Sequence, residues 1–417
     1  MLTPSTNSLK QATLKTLTVA ILAALTLPVV AYAQADNDVV QSNTNTPPQV
    51  TSMSESAADQ ALAEDTQTDD LDNEEDMAQA SDDAQSDANV EASGPTASES
   101  AATQATAQSD AAANAAKDTS LSAMAKQVNS SEWKPGVKMT QAVGTKVQAL
   151  LNWNQHGVGA VDGYWGKNTQ KAMQAFQQAQ GLPVTDTLDQ KTWEALLKGS
   201  GQNDNLGQKP VLISYTLKDS DVNIKTTTIP AGVEAKSKLE GLYYESIAEA
   251  LGEKFHMSVS YLKQLNPNAK FVTGETLTVY NPGRANTKAI SRVVADKNQQ
   301  TLYAYDKDNK LVASYPTTVG STATPSPTGT HKVKVKVSDP NYTHTDADGK
   351  QTVLPPGPNN PVGRVWIGLD KPSYGIHGSP DPERISRQAS AGCIRLTNWD
   401  AMALLNTIEN GATVEFK

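Results

Sequence analysis

The chain has 417 residues, a net charge of −10, one cysteine and five histidines. The charge is uneven. Residues 34–130 carry 19 acidic side chains against two lysines, which leaves the rest mildly basic. A surplus that small is no nucleic-acid footprint, and a lone cysteine rules out a disulfide framework.

Lys10 and Lys15 precede an apolar run from Leu17 to Ala31, and Ala31-Tyr32-Ala33 provides a small-x-small cleavage site. This reads as a secretory signal peptide over 1–33. The run is shorter than the roughly twenty residues that span a bilayer. The mature chain is therefore expected to be exported, to periplasm or cell wall, with no stable membrane insertion. Residues 34–130 contain no Phe, Trp or Tyr. Such a composition cannot bury enough apolar surface to offset ordering entropy, so 34–132 is expected to be an acidic disordered linker.

Aromatic residues begin at Trp133, and Gly/Pro/Asn-rich punctuation near 198–210 and 280–288 divides the remainder into 135–199, 208–283 and 288–417. In the first part Asn168 or Thr169 can cap a helix bearing Ala172, Met173, Phe176 and Ala179 on one face, with Gly181 as its stop. Asp189 caps a second helix with Trp193, Leu196 and Leu197, and Val147, Leu150 and Leu151 suggest a third. A small three-helix, all-α module is expected. Its run of Asp162-Gly163, Gly166, Thr169, Ala172, Phe176-Gln177, Gly181-Leu182, Thr192-Trp193 and Leu196 resembles the peptidoglycan-binding module of cell-wall enzymes. Asp186-Thr187 stands where that module usually repeats Asp-Gly. Residues 208–283 show a strand near 213–219, helix-like Ile247, Ala248 and Leu251, a second short helix with Val259 and Leu262, and a strand "ETLTVY". The order resembles a degenerate α+β LysM domain with a long insert. His256 reads as a half-buried structural residue.

The last part alternates as strands: "TLYAY" and "KLVASYP" flank the turn "DKDN", and "HKVKVKVSD" places Val333, Val335 and Val337 on one face. "RVWIGL" and "ATVEF" follow the same rule. One helix starts at a Thr397/Asp400 capping box, turns Met402, Leu405 and Ile408 inward and ends at Gly411. A mostly-β domain with a late helix is expected.

The chemistry gathers in "YGIHGSPDPERISRQASAGCIRL", which holds His377 and, sixteen residues on, Cys393. A thiol attacks carbonyl carbon well only as thiolate, which a nearby imidazole can generate. Gly392 allows an unusual turn before the cysteine, adjacent backbone N–H groups could form an oxyanion hole, and Arg395 supplies positive charge that favours the thiolate and could hold a carboxylate. Four of six arginines, Arg364, Arg384, Arg387 and Arg395, fall within this region. The five histidines show no metal-ligand spacing, so no metal or cofactor is expected.

The stretch, with "TPSPTGTHKV" and "PPGPNNPVGRVWIGL" upstream, resembles the L,D-transpeptidases with a YkuD-type catalytic domain. The resemblance covers essentially all of 288–417. It implies Cys393 as nucleophile, His377 as general base and the Gly378 backbone carbonyl as orienter of the imidazole. It also implies Ser390, Gly392, Arg395 and Tyr374 as substrate-binding positions. Ala391 departs from the second histidine that many members carry. The implied reaction cleaves the diamino acid–D-alanine bond of a peptidoglycan tetrapeptide stem through a thioester, then passes the acyl group to an amine in a 3→3 cross-link. The implied partners are stem peptides and glycan strands. Alternatives are an L,D-carboxypeptidase, attachment of an outer-membrane lipoprotein to the wall, or a non-catalytic wall-binding protein. Papain-like enzymes place the cysteine before the histidine, and sortases separate the two much further. Neither pattern fits.

Overall fold

The computed structural model describes residues 121–199, 205–320, 326–387 and 392–417. The expected signal peptide and most of the expected linker lie outside the described residues, as do Ser390 and Ala391.

The described residues begin inside the stretch that composition assigns to the linker. Helix α1 (Ala123–Ser130) is capped by Ser122, whose side chain accepts from Ala125 N. Leu121, Ala125 and Val128 are buried. Their spacing of four and three residues makes one apolar stripe, a short signal that an average over 34–132 conceals. The next helices are α2 (Gln141–Trp153), α3 (Lys167–Gln180) and α4 (Gln190–Lys198). The expected module, 135–199, thus holds the three expected helices, α2, α3 and α4, and α1 precedes it. Helix α3 starts after Gly166, earlier than Asn168 or Thr169, and ends at Gly181 with φ 66°. Asp189 caps α4 by accepting from Thr192 N at 2.7 Å.

Strand β1 (Leu212–Thr216), short helices α5 (Asp219–Val222) and α6 (Val233–Ser237), helices α7 (Ile247–Lys254) and α8 (Val259–Leu265), and β2 (Thr276–Tyr280) follow. β1 and β2 pair antiparallel. This part and the helical module share one apolar core, in which Leu150, Phe176 and Trp193 join Tyr215, Phe255 and Tyr280. Polar ties cross the same boundary. Asn129 brackets β1 through Leu212 O, Val211 N and Leu212 N, and Thr145 Oγ1 meets Tyr261 OH at 2.7 Å.

The remainder is an eight-stranded sheet in the order β11-β10-β9-β6-β12-β3-β4-β5 with a side hairpin. Its strands in chain order are β3 (Ile290–Asp296), β4 (Thr301–Tyr305), β5 (Leu311–Pro316) and β6 (Gly329–Ser338). The hairpin pairs β7 (Tyr342–Thr345) with β8 (Gln351–Leu354). β9 (Val365–Leu369), β10 (Gly375–His377), β11 (Ile394–Arg395), helix α9 (Asn398–Thr407) and β12 (Ile408–Phe416) complete it. Strict alternation in β6 fails at one point. A bulge between Val333 and Val335 shifts the register against β9. One extra residue sends the following side chains to the other face. Val333 accordingly packs in the cluster under α9, Val335 is 40% exposed, and Val337 packs on the opposite cluster. Helix α9 ends at Thr407, earlier than Gly411, because Ile408 enters β12; Met402, Leu405 and Ile408 are buried as the spacing predicts.

Candidate active site

β10 lies between β9 and β11 and carries His377 as its last residue, with Ile376 paired to Ile394 and His377 to Arg395 in the parallel β10–β11 ladder. Cys393 immediately precedes β11. The loop that separates the two residues in sequence therefore returns the cysteine to the neighbouring strand, one strand spacing of about 4.8 Å away. Ile376 and Ile394 point into the core beneath α9. The opposite side of the sheet carries Trp366, directly across from His377 on β9, and its ring stacks on the imidazole with centroids 5.9 Å apart. Cys393 belongs to the same cluster as Trp366. The large indole lies flat there only because its floor is glycine: a Cβ on Gly375 or Gly368 would come within 2.8 Å of the ring.

Cys393 is a buried thiol in no disulfide, and it donates to the Ser373 carbonyl at 3.5 Å. Ser373 has φ 67° and Gly392 has φ 101°, so backbone in the left-handed region lies at both the cysteine's partner and its approach. His377 is 5% exposed. Its Nδ1 contacts the Gly378 carbonyl at 2.7 Å. A carbonyl only accepts, so Nδ1 carries the proton and Nε2 is the basic nitrogen. Burial, helped by the Arg395 charge, pushes the imidazole down to about 3. The resting ring is neutral at pH 7. Burial also lowers the Arg395 pKa, while Cys393 attracts its charge. The Arg395 Nε is buried with no hydrogen-bond partner among the described residues, whereas its backbone is fixed by Thr318 on both sides.

The structure thus gathers Cys393, His377, Gly378, Gly392 and Arg395. Tyr374 diverges from that set. It shares the parity of Ile376 and packs on the α9-side core, with Lys371 Nζ 4.7 Å over its ring. Arg364 also serves internally: its guanidinium grips Asp339 at 2.9 and 3.2 Å. Arg384 lies 3.6 Å from Asp381. Sequence patterning missed Trp366, which looks like any strand residue, and Ser373, whose role is a backbone carbonyl. His256 is more than half-buried filler: its ring stacks on Trp399 at 5.3 Å across to α9.

The chain is similar to known proteins over this region. The family described as "L,D-transpeptidase catalytic domain" matches residues 290–416, and "Putative peptidoglycan binding domain" matches 145–196. "Putative L,D-transpeptidase YkuD" of Bacillus licheniformis is 31% identical over 170 residues, 40% of this chain and 90% of that protein. "Putative L,D-transpeptidase YqjB" of Bacillus subtilis is 34% identical over 127 residues, 29% of this chain and 68% of that protein. An NMR structure of the catalytic domain from an E. faecium L,D-transpeptidase aligns with 32% of this chain and all of its own at 25% identity, with a TM-score of 0.25. With 90% of the Bacillus licheniformis relative matched at 31% identity and the catalytic-domain family matched over 290–416, the chain belongs to the L,D-transpeptidase family with a YkuD-type catalytic domain and is an enzyme of that class.

Proposed function

We propose that Cys393 cleaves the bond between the diamino acid and the terminal D-alanine of a peptidoglycan tetrapeptide stem, and transfers the resulting acyl group to an amine. The observation that carries this reading is the Nδ1 contact of His377 with the Gly378 carbonyl, which commits Nε2 to proton transfer. The Cys393 Sγ attacks the carbonyl carbon as its proton passes to His377 Nε2. Backbone N–H groups at Gly392 and Cys393 hold the oxyanion. D-alanine leaves with the proton from the imidazolium, and a thioester remains. The side-chain amine of another stem attacks that thioester, gives its proton to His377, and the thiol re-forms as the 3→3 cross-link is released.

The neutral resting imidazole implies that thiolate formation is coupled to attack. A thiolate forming beside the ring raises the imidazole pKa, and the Arg395 charge favours that thiolate. Arg395, Ser390 and Gly392 bind the donor stem. Water as acceptor would make the enzyme an L,D-carboxypeptidase, and a lysine of an outer-membrane lipoprotein would tether that protein to the wall. The helical module binds the wall, in line with its family match. The strand–helix–helix–strand order of β1, α7, α8 and β2 supports a LysM-like middle domain with residues 217–246 as its insert. Both bind glycan strands, and the chain works outside the cytoplasm after signal cleavage.

Mass spectrometry after incubation with a soluble disaccharide-tetrapeptide tests the proposal. Cysteine-dependent dimers lacking one D-alanine are the expected product. Cysteine-dependent tripeptide alone would move the reading to a carboxypeptidase, and product from a Cys393→Ala variant would overturn it.

A further inference from the structure

The Gly378 backbone, whose carbonyl meets His377 Nδ1, packs against Asn398, a side chain that is tied to the middle domain. The peptide after Gly378 passes through a tight crossing. A side chain on Gly378 would collide with Asn398 Oδ1, and one on Gly363 would collide with that oxygen and come within 2.7 Å of the Gly378 carbonyl carbon. Asn398 is the first residue of α9. Its Oδ1 accepts from Arg364 N at 3.0 Å. Its Nδ2 donates to Glu253 Oε2 at 2.8 Å and to the Pro358 carbonyl at 3.2 Å.

Glu253 is on α7, in the middle domain. Its other oxygen accepts from Tyr244 OH at 2.7 Å and lies 3.8 Å from Arg364 Nη1. Every oxygen of that carboxylate is engaged, so the amide of Asn398 has one orientation. Oδ1 must face Arg364 N and the Gly378 backbone, because Nδ2 is taken by two acceptors. Without Glu253 the amide keeps only the longer Pro358 bond on that side, and is free to rotate.

We propose that Glu253 is a positioning residue for the general base: through Asn398 it fixes the Gly378 carbonyl and hence the His377 imidazole. This rests on the reading of His377 as base to Cys393. It makes the middle domain part of the catalytic apparatus and not only a wall-binding appendage. Glu249, one turn earlier on α7, contacts the same catalytic domain through Asn359 Nδ2 at 2.8 Å but does not touch Asn398, so it separates positioning from simple docking.

The lone cysteine gives a direct assay: mass-resolved alkylation of Cys393 by iodoacetamide across pH, on the full chain. His377→Ala should slow alkylation at pH 7 by about a hundredfold or more, the scale of a lost general base. Glu253→Ala should slow it about tenfold and raise the apparent midpoint by about one unit, the equivalent shift. Asn398→Ala, which cuts the same link from the other side, should match it. The double variant should be no slower than either single one. Glu253→Gln keeps an oxygen for Asn398 and should recover most of the loss, and Glu249→Ala should stay within about twofold of the parent. Slowing by His377→Ala but not by Glu253→Ala or Asn398→Ala overturns the inference and leaves the base assignment standing. Equal slowing by Glu253→Ala and Glu249→Ala also overturns it, as generic docking. No slowing by His377→Ala removes both.

Discussion

The two faces of the catalytic sheet are closed by different parts of the chain. One face is sealed within the domain: Ile290, Val293, Ile376 and Ile394 pack under Leu404 and Leu405 of α9. The other holds Trp366 and Cys393, and its cover includes Leu242, Val233 and Leu239 from the middle domain. Backbone bonds join that cover to the catalytic loop, from Leu242 N to Pro356 O and from Asn359 N to Leu242 O, both 2.9 Å. The sealed face holds the sheet together, and the borrowed face carries the proposed nucleophile and base.

The sharpest way to separate the faces is Cys393→Ala. It should abolish acyl transfer, read by mass spectrometry, and leave the circular dichroism spectrum unchanged. Leu404→Ala should do the reverse. A fully buried leucine lost from a packed core costs about 3 kcal/mol, read by denaturant unfolding, while the folded fraction keeps its turnover per active site. Leu242→Ala, equally buried, should lower both, by about 2 kcal/mol in stability and severalfold in turnover. If turnover per folded molecule does not change, the borrowed cover is only a lid on apolar surface.

A weaker test uses acid. Burial holds His156 down to about 3 and His256 to about 4, and His377 is likewise depressed. The unfolded chain takes up these protons below about pH 6.5 while the folded chain does not. Stability is therefore complete above pH 6.5 and falls as pH drops toward 4. His156 lies far from the borrowed face, where its Nδ1 meets Ser314 Oγ at 2.9 Å. His156→Gln should flatten that decline by up to about 1.4 kcal/mol per pH unit without altering alkylation of Cys393. At the small end, Lys238→Ala removes an exposed i,i+4 pair with Glu234 and should change unfolding by under about 0.5 kcal/mol.

The contrast also tracks what could be read from the sequence. The sealed face was legible: β-period alternation marked β4, β5 and β9, and helical period marked Met402, Leu405 and Ile408. On the chemical face the legible part was local, a histidine and a cysteine in adjacent strand ends with arginine after them. What stayed hidden depends on distant pairing. Nothing near Glu253 in sequence points to Asn398, 145 residues later. Tyr374 entered the expected site through the family resemblance, and strand parity turns it to the other face. The bulge in β6 hid for the same reason: "KVKVKV" is a regular repeat, and only its partner strand shows where one residue is skipped.

The common core of the helical module and the middle domain has a further consequence. Two ligand-binding units joined by a flexible tether search a volume, and their combined avidity is set by the tether's length. Here Phe176 and Tyr280 lie in one apolar cluster, so the separation of the two units is a constant of the fold. Under the proposed function, a polymer engaged by both would have to match that span and orientation. The body would then act as a gauge, presenting to Cys393 those stems that stand at a set distance along a strand.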